Sequence, residues 1–96
     1  VTSSPSDKPR KLLRQSAYTR DIEKIRQSSP RAAEAIAAFE GVITRIPEQG
    51  MAAPGGRPGV RALPFHTDRG SYLVLYSYND HQVVCLAVRP VPSSVF

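Results

Sequence analysis

Residues 71–89 read SYLVLYSYNDHQVVCLAVR, and this stretch decides the fold. Tyr72, Val74, Tyr76 and Tyr78 alternate with Leu73, Leu75 and Ser77, which is the two-residue period of a strand. Asn79-Asp80-His81 interrupts the run, and Gln82 to Arg89 resumes it, with Val83, Cys85 and Ala87 opposing Val84, Leu86 and Val88. Two such runs around a short polar break predict an antiparallel hairpin. Both faces of that hairpin are apolar, whereas a small antiparallel sheet commonly leaves one face polar and solvated.

Reading back toward the N-terminus, Val60 to Phe65 (VRALPF) predicts a third strand, restricted by Pro64 to an edge or a bulge, and His66 to Gly70 is its turn. Pro47 to Gly59 holds three prolines and four glycines, which marks a loop and not an element. Before it, Ile36, Phe39, Ile43 and Ile46 recur at helical spacing, with Ala32 and Ala35 widening the stripe. Ser29 is placed to cap that helix and Pro30 to occupy its first position, and the helix ends before Pro47. Gly41 inside it predicts close packing against a neighbour. An earlier helix starts at Ser16 as cap, buries Tyr18, Ile22 and Ile25, and stops near Gln27. So short a link makes the two helices an antiparallel hairpin. Lys11 to Arg14 reads as a small edge strand, residues 1–10 as a flexible basic tail, and Pro90 and Pro92 take the last residues out of the sheet.

The expected fold is therefore α+β: an antiparallel sheet packed on an N-terminal two-helix hairpin, in the order β-α-α-β-β-β, with one domain over residues 11–96. The hairpin covers one face. The other needs a tail, a second chain or a ligand, because an apolar face left in water is an association site.

Composition limits the function. Ninety-six residues leave no room for a separate cofactor domain. No apolar run reaches the ~18–20 residues of a membrane span, and the basic start lacks the apolar core of a secretory signal. Cys85 is the one cysteine, so an internal disulfide and a cysteine metal cluster are excluded; the expected role is a small buried hydrophobe. Two histidines fifteen residues apart give no metal-ligand spacing. A cytoplasmic location is expected. Thirteen Lys and Arg against eight Asp and Glu, a net +5, point to an acidic partner: nucleic acid, a ribosome or an acidic protein. Lys11, Arg14 and Arg69 are the candidate contacts, and the bland alternative for each is a solvated charge.

Several pieces in this order carry a resemblance. Pro47 with Gly50 follows the second helix; Gly59-Val60-Arg61 opens the meander; Tyr72-x-x-x-Tyr76 marks the middle strand; Arg89 stands just past the last one. Over roughly residues 11–96 the sequence resembles the RelE/ParE superfamily of bacterial toxins from type II toxin–antitoxin systems. The resemblance implies a growth inhibitor neutralised by a cognate antitoxin that wraps it. One branch cleaves mRNA in the ribosome through the nucleotide 2′-OH, without metal or other cofactor; the ParE branch poisons DNA gyrase without nuclease chemistry. A non-toxic basic adaptor of the same fold is the third reading. Under the nuclease reading Arg61 and Arg89 match phosphate and charge-stabilising positions. His66 lies near a histidine of one subgroup and is able to move a proton near neutral pH. The set has gaps: Leu73 stands where many ribonucleases have Arg, Phe96 where a tyrosine acts as acid or base, and Pro92 where the histidine subgroup has its last histidine. Tyr72, Tyr76, Tyr78 and Phe96 are the candidate contacts to an antitoxin.

Overall fold

A computed structural model describes residues 10–53, 58–67 and 70–91. In chain order it has β1 (Lys11–Arg14), α1 (Ser16–Ser28), α2 (Pro30–Arg45), a 3-10 turn (Pro47–Gln49), β2 (Met51–Ala52), β3 (Arg61–Thr67), β4 (Gly70–Tyr78) and β5 (Gln82–Val91). The strands form one five-stranded sheet in the order β1-β5-β4-β3-β2. β2 to β5 pair antiparallel, but β1 lies parallel to β5, with Lys11 opposite Gln82 and Arg14 opposite Cys85. The sheet is thus mixed. The direction of a four-residue strand leaves no mark in its own sequence; it follows from where the two helices return the chain.

The start of α2 is as its residues predict. Ser29 Oγ accepts the Ala32 N–H at 3.3 Å, and Pro30 fills the first turn, where no N–H is needed. Ser16, by contrast, is not a cap. Gln15 holds that position without a side-chain bond, and its N–H goes to Cys85 O instead. Ile36 and Ile43 are 1% exposed, and Ala33 joins Ala32 in the core. Ala35 is exposed, and Ile46 sits past the helix end, 39% exposed. Gly41 meets nothing: a Cβ there would have open space around it, so the expected close packing is absent.

The segment read as loop contains the 3-10 turn and β2, which pairs Met51 with Ala62. Both strand prolines lie where no neighbour needs their N–H: Pro64 beyond the reach of β2, and Pro90 beyond the end of β1. Pro90 therefore stays in β5, opposite Tyr72, and the strand runs two residues past Arg89. Pro92 and Phe96 lie outside the described residues, as do residues 1–9.

Both helices pack on one side of the sheet. Tyr18, Ile25, Ala32, Ala33, Ile36 and Ile43 form a cluster with Val74, Tyr76, Val83, Cys85 and Val88. Cys85 is a free, fully buried thiol, and burial pushes its pKa up to about 11. Among the described residues no helix is long and apolar enough to cross a membrane.

Candidate functional site

One irregularity decides which side chains share a face. Tyr76 pairs with Cys85, but Leu75 pairs with Ala87, so Leu86 is an extra residue bulged out of the ladder. A bulge reverses the alternation downstream of it. Val83 and Cys85 face the helices, and beyond Leu86 that role passes to Val88, while Ala87 turns away. This corrects the simple alternation, which put Ala87 with Val83 and Cys85. It also moves Arg89. Opposite Leu73, Arg89 stands on the face away from the helices; an unbroken period would have aimed it at them.

That second face is open only in part: Ala62, Ser71 and Ala87 on it are buried beneath their neighbours, while its larger apolar side chains reach solvent. It carries Leu13, Leu73, Leu75 and Val84, all partly exposed, and no residue of it belongs to the core cluster that both helices join. Leu13 is 36% and Met51 at its rim 56% exposed. Lys11 is exposed at one end of the apolar strip, and Arg89 and His66 stand at the other. His66 shares a rung with Ser71, and its Nδ1 hydrogen-bonds Ser71 Oγ at 2.7 Å, which fixes the ring. Arg89 is one same-face rung and two strands away, roughly 12 Å between Cα atoms at ordinary strand spacings. Both side chains are exposed and both are able to reach one extended phosphodiester.

Arg61 is elsewhere. It pairs with Tyr76 and so points to the helix side, where its Nη1 donates to Gly50 O at 2.7 Å and its guanidinium lies 5.8 Å from the centre of the Tyr78 ring. Arg10 flanks the same ring at 5.6 Å, its Nε donating to Asn79 O. Arg61 thus anchors the chain after α2 and does not converge with Arg89 and His66. The tyrosine row faces the same way. Tyr76 is 0% exposed; its hydroxyl donates to Pro47 O and accepts the Gly50 N–H, and burial raises its pKa. It is a core residue, buried on the helix side. Tyr72 stacks on Phe65 with centroids 5.5 Å apart, and the Tyr78 ring lies near both arginines, so both tyrosines pack on the core side of the sheet. Arg14 is also committed: Nη2 and Nε hold Glu40 at 2.7 and 3.0 Å, and this bond raises the arginine pKa further. Lys11 alone of the predicted basic contacts stands on the open face; Arg69 lies outside the described residues.

A cleft of about 380 Å³ between α1 and α2 is lined by Arg14, Tyr18, Ile22, Arg26, Ala37 and Glu40 among others, and by none of Arg61, His66 or Arg89. The sequence reading missed Ser71 and the bulge at Leu86. Ser71 falls in the predicted strand, where nothing marks a serine as the partner of a histidine across the turn, and an extra residue inside an all-apolar run breaks no visible pattern.

No family model matches the sequence, and no curated protein does. Solved structures do. A chain of the toxin–antitoxin complex RelBE2 from Mycobacterium tuberculosis is 27% identical, with a TM-score of 0.68 over 88% of this chain and 100% of that one. A chain of the chromosomal ParDE toxin–antitoxin system from P. aeruginosa is 18% identical, with a TM-score of 0.67 over 85% and 96%. Two helices on a five-stranded mixed sheet are the α+β fold of RelE/ParE-type proteins.

Proposed function

We propose that this chain of RelE/ParE type is a growth-inhibiting toxin held inactive by a protein antitoxin, and that the antitoxin covers the open face of the sheet. One observation carries the reading: an apolar face outside the core, with Lys11 at one end and Arg89 at the other. A segment with apolar side chains over Leu73, Leu75 and Val84 and carboxylates at its ends fits that pattern. The similarity to chains from two toxin–antitoxin complexes supports it.

On the target side, the same face serves metal-free cleavage of ribosome-bound mRNA. His66, oriented by Ser71, takes the proton of a ribose 2′-OH. The 2′-oxygen attacks the adjacent phosphorus, a 2′,3′-cyclic phosphate forms as the bond to the 5′-oxygen breaks, and that oxygen leaves as a hydroxyl with a proton drawn from water. Arg89 stabilises the charge that builds on the phosphoryl oxygens. An antitoxin on this face then blocks the chemistry by occupying it. Leu73 between Pro64 and Arg89 favours a second reading, gyrase binding without chemistry, because it gives the centre of the face an apolar contact where a phosphate would call for a cation.

The experiment is induction of the chain without an antitoxin, followed by mapping of mRNA ends and assay of gyrase supercoiling. Growth arrest with new 2′,3′-cyclic phosphate ends, reduced about tenfold or more by Arg89→Ala and by His66→Gln, supports cleavage. Arrest with intact mRNA and inhibited gyrase supports the second reading. Unimpeded growth sinks both and leaves a basic adaptor.

A further inference from the structure

The outer edge of β5 is half covered. β1 pairs with it only as far as Arg14 opposite Cys85, and the Gln15 N–H to Cys85 O bond is the last main-chain bond on that side. From Leu86 to Val91 the strand continues with β4 on its inner side and, among the described residues, no strand on its outer side. The sequence there, LAVRPV, has four apolar side chains, Leu86, Ala87, Val88 and Val91, with Arg89 and Pro90 the two residues that discourage pairing at a bare edge.

After the bulge, Val88 and Pro90 are the residues whose main chain points outward. Neither offers a donor. The Val88 N–H already donates to Asp21 Oδ2 of α1 at 2.9 Å, and Pro90 has no N–H. An added antiparallel strand needs donors and acceptors in alternation along the edge. Here it meets acceptors alone, next to a carboxylate that repels its own carbonyls.

We propose that Asp21 and Pro90 together close this edge to a second copy of the chain. Identical strands are otherwise well matched to pair about a two-fold axis, β5 against β5. Asp21 is suited to the task by its place: α1 packs along β5, so one carboxylate reaches the amide that no strand takes up, without leaving the helix. The guard keeps the edge of the sheet from extending into a sister chain. The inference rests on the edge geometry and stands whichever target the molecule has.

The test uses the full chain and four variants: Asp21→Ala, Asp21→Asn, Pro90→Val, and Asp21→Ala with Pro90→Val. Hydrogen exchange at the Val88 amide is expected to quicken about tenfold or more in folded Asp21→Ala and to stay near wild type in Asp21→Asn, which keeps an acceptor oxygen. Light scattering across a concentration series is expected to show dimers for the double variant where the wild type is monomeric, with Pro90→Val between them. Unchanged Val88 exchange in Asp21→Ala overturns the proposal, and so does a folded double variant that stays monomeric throughout. The exchange measurement needs only the single variant, so the test does not depend on the double variant folding.

Discussion

Replacing Glu40 with alanine removes the acceptor on which three hydrogen bonds converge. Arg14 Nη2 and Nε reach it at 2.7 and 3.0 Å from β1, and the Tyr18 hydroxyl at 2.5 Å from α1. The three donors do not lose equally. The Arg14 side chain is 51% exposed, so its guanidinium recovers water, and its share is that of a surface pair, about 0.2–1 kcal/mol. Tyr18 is 0% exposed, and its hydroxyl loses a bond to a charged group, about 1.5–3 kcal/mol. Together the loss is about 2–4 kcal/mol, or roughly 10–25 °C in Tm for a domain of this size. Urea denaturation followed by far-UV circular dichroism measures it. Glu40→Gln keeps an acceptor and is expected to lose less. Tyr18→Phe removes the stranded hydroxyl, so adding it to Glu40→Ala is expected to cost less than it does in the wild type. A loss below about 1 kcal/mol for Glu40→Ala, or strictly additive losses in the pair, refutes the shared network.

Two glycines should respond in opposite ways. Gly41→Ala, in an exposed helix position with open space for a Cβ, is expected to stabilise by about 0.5–1 kcal/mol; Gly50→Ala puts a Cβ 2.9 Å from Tyr76 Cζ, a rigid buried ring, and is expected to destabilise by roughly 1–3 kcal/mol in the same denaturation assay. Alkaline pH should weaken the fold. With its pKa raised to about 11 by burial, Cys85 holds its proton in the folded chain while the unfolded thiol gives it up near 9. Its contribution is therefore intact below pH 9 and is lost between 9 and 11, at about 1.4 kcal/mol per pH unit. Tyr18 is pushed up in the same sense and extends the decline above pH 10; Cys85→Ala is expected to flatten the part between 9 and 11 in a pH series of urea midpoints.

Much of the architecture was legible because local chemistry and long-range packing agreed. Ser29-Pro30 starts a helix by its own bonding, and the tyrosine-rich run could only be a strand. What stayed hidden was set by register. Nothing in QVVCLAVR says that Leu86 is supernumerary, yet that residue decides whether Arg89 faces the helices or the open side. Arg61 was a fair phosphate candidate as a strand-end cation, but its pairing with Tyr76 sends it to the core side, where Gly50 and Tyr78 claim it. Proline suggests a stop because it removes a donor; at an edge with no partner strand among the described residues, the missing donor costs nothing. Of the site, His66 and Arg89 were named from sequence and share a face, while Ser71, which steadies His66, gave no sign.

The parallel seam between β1 and β5 has a temporal consequence. Lys11 must wait for Gln82 before it has a neighbour, so one border of the sheet stays unmade until β5 has been synthesised. The nascent chain carries both helical segments before it carries the strands they rest on. Any protein that recognises the completed surface therefore finds nothing to grip on the emerging polypeptide, and meets its target only after β5 has cleared the exit tunnel.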